Sequence, residues 1–483
     1  MKIRSSFVLL LLILLYWLTR FIALDSFSLF LDEAHHLWLA RDVWRLHPFE
    51  ATVDGRWLNV LWIAVFYPFN ASIWIARASV VLVTTAGFAC VLATTRHYFS
   101  LRATRATVIA GLLYTFMPLT FFFERMALAD SISAPFVAAA IWMASVQFPQ
   151  ATASRERLAW GALGGVMLTA AILSKISNLI FLCIPFFAAI FLFNWKEWRR
   201  GFTVASAMYI GCAVTLVPIV IMIRFFTSST LGLDLVTLKT GGTLAEMPAQ
   251  IFGTCQSVLS FLSAYLPFPM WLIILIGIGA AMWRGGRVAW FNASVLAATM
   301  AVLIVQTRPA FLASRFLPVY APMIVILAGG GLAAITIQWR RVLVIGGGAM
   351  MIGSGVMFAW QGWIDPTQLP LEQSDRWHYV TGWPNSYALR DVTTEFLSRD
   401  ELAQIVALDL GSTQKMDGYL LGRTTKVTAR WYRGDFPLNG LWLVIEATSQ
   451  MEELARLNLK VTEVKRYYRP GNTSPVILYR VDP

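Results

Sequence analysis

The residues best suited to chemistry in this chain are carboxylates and cations set in otherwise apolar sequence. In SLFLDEAHHLWLARD the adjacent acids Asp32 and Glu33 are followed, after one alanine, by His35 and His36. In FFFERMALADSISAPF, Glu124, Arg125 and Asp130 interrupt an apolar stretch, and Lys175 stands alone in AAILSKISNLI. Arg77, Arg308 and Arg315 repeat the pattern of a lone cation beside apolar sequence. A carboxylate beside a hydroxyl can take its proton as it attacks. Cations can stabilise charge that develops on a departing phosphate. Each acid also has a plainer reading: Asp32 and Glu33 as first-turn acids favoured by a helix dipole, Asp130 as a helix cap.

What surrounds these residues decides how they are held. Of 483 residues, 57% are hydrophobic and 14% charged, against about 45–50% and about 25% in a soluble globular domain. Repeated apolar runs longer than the roughly 18 residues of a membrane span place most of the chain in a bilayer. Ionisable groups at its boundary are costly and are functional candidates by default. The net charge of +12 does not indicate nucleic acid. Residues 1–360 hold 25 basic and 12 acidic residues, residues 361–483 hold 14 and 15, so the excess belongs to the membrane part, whose cytoplasmic loops favour Lys and Arg.

Apolar runs between charged breaks predict eleven spans, near 7–24, 72–95, 106–123, 132–150, 158–174, 178–195, 202–223, 262–282, 288–306, 316–337 and 342–360. A cytoplasmic N-terminus puts fourteen basic residues and two acids, Glu156 and Glu197, in inside loops. The remaining acids and the tail then face outward. The first run has signal-peptide features after Lys2 and Arg4, but it lacks an A-x-A site and is interrupted by Arg20, which favours a retained helix. Cys90, Cys183, Cys212 and Cys255 define no disulfide framework. Asn70, Asn292 and Asn472 fit the glycosylation rule, but no glycosylation is assigned.

Two domains follow: 1–360 in the membrane, including a first outer loop at 25–71, and 361–483 outside as a small α/β domain. In the loop, Trp38, Trp44, Trp57 and Trp62 among charges predict short interfacial helices. In the tail, strand patterns at 403–410, 441–447, 461–468 and 475–481 alternate with helical ones at 387–399, 414–421 and 449–458. The clusters Gly329 to Gly331 and Gly346 to Gly348 fall in spans, where close helix packing explains them.

The Asp-Glu pair after the first span, the stretch from Arg125 to Asp130, Leu-Ser-Lys at 173–175 and the multi-span body resemble the GT-C glycosyltransferases. Within these the chain is most similar to bacterial members of the protein O-mannosyltransferase-like group, family 39, which includes relatives of the lipid A aminoarabinose transferase. Arg77 fits an arginine these proteins carry at the start of the second span, and HYVTGWPNSYALRD at 378–391 is similar to their Trp-Pro segment after the last span. Two departures concern the acceptor: His35 and His36 replace an aromatic pair, and Asn385-Ser386 replaces a glycine-rich stretch.

The resemblance implies a polytopic α-helical protein of the plasma (inner) membrane that transfers a sugar from a polyprenyl-phosphate donor to a lipid, glycan or protein acceptor at the outer face, with inversion. It implies Asp32 as general base, with Glu33 and Asp130 orienting the acceptor or stabilising a cationic sugar. Lys175, Arg308 and Arg315 would hold the donor phosphate, Arg77 and Arg125 the carboxylates. His35 and His36 would line the cavity rim, since adjacent helical positions point apart and a metal would need further ligands; no metal ligand is assigned, and a divalent metal stays an alternative. No nucleotide is required. A multi-span transporter or lipid flippase is the competing class, although broken midplane helices and internal repeats are not read in the sequence.

Overall fold

The computed structural model describes residues 2–49, 55–67, 72–99, 103–227, 246–335, 338–399, 402–421, 426–446 and 448–482. Asn70 and residues 228–245, between the spans expected at 202–223 and 262–282, lie outside them. The chain packs as two compact units, one of residues 1–22, 49–59 and 80–360, the other of residues 23–48, 60–79 and 361–483.

Among the described residues six helices are long and apolar enough to cross a bilayer: Ile73–Tyr98, Ala129–Gln150, Ser154–Ser174, Trp195–Phe226, Gly286–Gln306 and Ser314–Ala334. A bent pair, Met247–Tyr265 and Phe268–Arg284, meets at 111° and makes a seventh if counted as one span. The protein is therefore an integral membrane protein. The expected eleven also counts shorter and broken helices, among them Ser6–Phe21 and Ile176–Phe191.

Proline sets the breaks. Met117 is extended ahead of Pro118 and splits the run expected at 106–123 into Ala103–Phe116 and Pro118–Phe123. Leu266 is extended ahead of Pro267, where the bent pair divides; the residue before a proline is disfavoured in the α region. The helix Met247–Tyr265 was not expected. Gln250, Thr254, Gln256, Ser257, Ser260 and Ser263 dilute its apolar pattern.

In the first unit, small residues let helix backbones approach. A β-carbon at Gly331 would collide with the backbone of Gly277, and one at Gly329 would meet Ala110 at 2.8 Å. The packing expected at the second cluster is absent at two of its three positions, since Gly346 and Gly348 face nothing within 4 Å.

In the second unit the expected α/β tail forms around one sheet with strands β1 (Ala403–Ala407), β2 (Val427–Trp431), β3 (Trp442–Ile445), β4 (Val461–Arg469) and β5 (Thr473–Val481). The order is β2-β1-β3-β5-β4, with β1 parallel to β2 and β3 and the β3-β5 and β4-β5 pairs antiparallel. Ile405, Val406 and Ala407 of β1 are buried on both faces, as a central parallel strand requires. Strand β2 was not expected, because VTARW is an edge strand whose Thr428 and Arg430 are exposed. Helices Tyr387–Ser398 and Leu410–Leu420, the loop helix Leu31–Trp44 and the later part of the loop helix Trp57–Val65, from Val60 on, complete the unit.

Gly331→Ala is expected to lower the thermal midpoint of the purified protein in detergent through overpacking worth about 1–3 kcal/mol. Gly346→Ala is expected to leave it unchanged or raise it, by up to about 1 kcal/mol of helix propensity.

Candidate functional site

Asp32 and Glu33 lie in the first turn of helix Leu31–Trp44, where successive side chains diverge by about 100°. Glu33 points inward and is fully buried. Its Oε1 accepts from Arg77 Nε at 2.9 Å and its Oε2 from Arg77 Nη2 at 2.8 Å, while Oε2 also accepts the Phe30 backbone N–H at 3.1 Å. Arg77 donates its remaining hydrogens to the carbonyls of Leu24, Phe27 and Ser28, each at 3.0 Å. Arg77 thus holds the Glu33 carboxylate. Glu33, however, is sealed inside this cluster and anchors the helix, so it is not placed to orient an acceptor.

Asp32 and His35, three residues apart on the other face, stay partly exposed and line a cavity of about 340 Å³ with Trp383, Asp409 and Gln414. His35 Nδ1 lies 3.1 Å from Gln414 Nε2. His36 faces inward with Glu33 and is buried.

The tail segment 378–391 grips the loop that leads into Asp32. The Leu31 N–H donates to the Pro384 carbonyl at 2.9 Å, and Ser386 Oγ donates to the Leu29 carbonyl at 2.5 Å. The Leu29 N–H donates to Tyr419 Oη at 2.9 Å, and Arg41 pairs with Asp417 at 2.9 Å. Asn385 and Ser386, the departure from the expected glycine-rich stretch, are both buried in this contact.

The other candidates belong to the first unit. Asp130, in the first turn of helix Ala129–Trp142, pairs with Lys175 Nζ. Lys175 Nζ also sits 3.6 Å from the centre of the Phe316 ring. Burial pushes the Lys175 ammonium down to about 7; Asp130 opposes the shift, and the positive charges of Arg315 and Arg56 add to it.

Arg56 is a cation the sequence reading did not select. Gly55, at a left-handed φ of 66°, turns the chain there, and its carbonyl accepts from the Ile176 N–H at 3.2 Å, which brings Arg56 beside Lys175. Arg308 is not among the charges that act most strongly on Lys175.

Arg125 donates to the Ile22 carbonyl at 2.8 Å and lies over the Phe121 ring at 4.7 Å. The cation on its neighbour Glu124 is Arg20, at 3.0 Å, within a buried cluster that Tyr16 and Tyr114 complete at 2.9 and 2.7 Å. Arg20 entered the sequence reading only as an interruption of the first span. Its isolation in apolar sequence was the available signal. Among the described residues no group of three or more His, Cys, Asp or Glu side chains gathers as a metal site.

The fold is the GT-C fold. ArnT from Cupriavidus metallidurans bound to undecaprenyl phosphate matches with a TM-score of 0.67 at 14% identity, over 98% of this chain and 97% of that one. Its apo form matches at 0.62 and 16%, over 99% and 98%. The mycobacterial arabinofuranosyltransferase AftD matches at 0.53 and 12%, over 100% of this chain and 42% of that one. Among protein-family models and curated proteins nothing matches.

Arg77→Met leaves Glu33 buried without its cation and is expected to cost about 3–5 kcal/mol, read as a lower thermal midpoint in detergent. For Lys175, a folded value near 7 lies below the ordinary 10.5, so the unfolded chain binds the extra proton between these limits. Its contribution to stability therefore rises with pH from about 7 upward. Thermal midpoints between pH 7 and 9 are expected to climb less in Lys175→Met than in the wild type.

Proposed function

We propose that the protein is a membrane glycosyltransferase that moves a sugar from a polyprenyl-phosphate donor to an acceptor hydroxyl at the outer face of the plasma membrane, inverting the anomeric carbon. Asp32 is its general base. The observation that carries this reading is the different fate of two adjacent acids: Glu33 is consumed by Arg77, whereas Asp32 is partly exposed and lines a cavity. The fold shared with ArnT, which binds undecaprenyl phosphate, supports a lipid-linked donor.

In the proposed reaction the acceptor oxygen attacks the anomeric carbon and Asp32 takes the hydroxyl proton. The bond from the anomeric carbon to the phosphate oxygen breaks, and its electron pair leaves with the polyprenyl phosphate. Lys175 and Arg315, joined by Arg56, stabilise that charge. An arriving phosphate restores the protonated form of Lys175, whose burial otherwise disfavours it. Asp130 fixes the Lys175 ammonium. Arg308 is assigned a subsidiary place on the donor side. The N-terminus is cytoplasmic and the tail extracytoplasmic, the topology in which positive loops face inward.

The test is mass-spectrometric detection of sugar transfer in membranes containing wild type, Asp32→Asn or Asp130→Asn, supplied with a panel of polyprenyl-phosphate sugars. Asp32→Asn is expected to reduce transfer by about 100- to 10,000-fold, the usual contribution of a positioned base, with expression and thermal midpoint retained. Robust transfer by Asp32→Asn would remove the base assignment. An inactive wild type across the panel would favour a transporter or flippase.

A further inference from the structure

The cavity beside Asp32 has a composition that selects among acceptors. Its wall combines an apolar part, Leu31, Leu410 and the exposed indole of Trp383, with the carboxylates of Asp32 and Asp409, the Gln414 amide and the His35 imidazole. At about 340 Å³ it falls at the lower end of the roughly 300–1,000 Å³ of small-ligand sites. The lining includes neither lysine nor arginine.

The start of helix Leu410–Leu420 borders the cavity, and a helix start ordinarily attracts anions. Here Asp409 already fills that place, its Oδ1 accepting the Ser412 N–H at 2.8 Å and its Oδ2 accepting from Gln450. The one lysine of this helix, Lys415, is fully buried against the wall residue Trp383, its Nζ 5.6 Å from the centre of that indole ring. It donates to Glu446 Oε2 and to the Trp383 carbonyl, each at 2.6 Å, while Arg469 holds the other Glu446 oxygen at 2.7 Å. Burial pushes the Lys415 ammonium below its ordinary value and Glu446 opposes the shift. The buried triad therefore fixes the backbone of Trp383 at the cavity wall and offers no charge to a ligand.

We propose that this cavity is the acceptor subsite and that it takes a neutral carbohydrate ring, so that the acceptor is a glycan or the sugar headgroup of a lipid. The inference rests on the glycosyltransferase reading above. An indole face attracts the weakly positive C–H groups on the apolar side of a sugar ring. Carboxylate, amide and imidazole exchange hydrogen bonds with its hydroxyls. Two carboxylates in the wall repel a phosphate or an acidic peptide. A ring lying on Trp383 presents a hydroxyl to the wall that carries Asp32. The tail, through Trp383, Asp409 and Gln414, is thus the part of the chain that chooses the acceptor.

The test is saturation-transfer NMR on the full-length protein in nanodiscs, without donor, using neutral disaccharides of glucose, galactose, mannose, arabinose and N-acetylglucosamine. At least one is expected to bind. Trp383→Ala is expected to weaken it about tenfold, the scale of one aromatic contact, and Trp383→Phe to restore most of that loss. Arg390→Ala, in a separate cavity of about 540 Å³ in the same unit, serves as the control and is expected to have no effect. Inorganic phosphate is expected not to compete.

Binding that survives Trp383→Ala, that is lost in Arg390→Ala or that phosphate displaces overturns the proposal, as does absence of binding across the panel. The two readings fail separately. A wild type that binds saccharide at Trp383 but transfers from no donor removes the enzymatic reading, and one that transfers only to a peptide or a phosphate removes the acceptor assignment.

Discussion

The ion pair between Arg77 and Glu33 is the constraint on which the candidate base depends. Both side chains are fully buried, so each has lost its hydration, a cost of several kcal/mol per ion that only complete pairing offsets. The pairing is complete on the cation: five guanidinium hydrogens meet two carboxylate oxygens and three backbone carbonyls. Those carbonyls belong to residues 24–28, the turn that leads into the helix. One arginine therefore fixes the chain on the N-terminal side of Asp32 and the side chain on its C-terminal side. With Glu33 directed inward, helix geometry leaves Asp32 directed outward.

The tail supports the same segment from another side. Backbone groups of Leu29 and Leu31, which would otherwise be buried unpaired, find partners in Tyr419, Ser386 and Pro384. The small sheet has a structural reason in this arrangement: it anchors helix Leu410–Leu420 and, through the Lys415, Glu446 and Arg469 triad, the loop that carries Trp383. A domain in this role both steadies the segment that carries Asp32 and shapes what lies beside it.

Buried charge is used differently in the first unit. Arg20 and Glu124 are surrounded by Tyr16, Tyr114 and Thr120 and by the Thr115 carbonyl, so their hydrogen-bonding capacity is spent inside the protein. Lys175 has one carboxylate partner, an aromatic face and two neighbouring positive charges. A group held in that way has a protonation state that responds to an arriving anion.

Much of this was legible in sequence. Apolar run length marked the membrane body, shorter apolar runs marked four of the five described tail strands, and charges set in apolar sequence drew attention to Asp32, Asp130 and Lys175 as candidates, because each such charge must be explained by a partner or a function. Three matters only the tertiary structure decided. Which of two adjacent acids is buried depends on where Arg77, forty-four residues away in the chain, delivers its guanidinium. The pairing of Arg20 with Glu124 and the approach of Arg56 to Lys175 depend on contacts across about a hundred residues or more, which no local pattern records. Proline breaks and polar-diluted helices changed the count of clean spans, since hydropathy measures transfer of a segment to lipid and is blind to polar side chains such as Gln250 and Thr254 that donate to backbone carbonyls of a neighbouring segment.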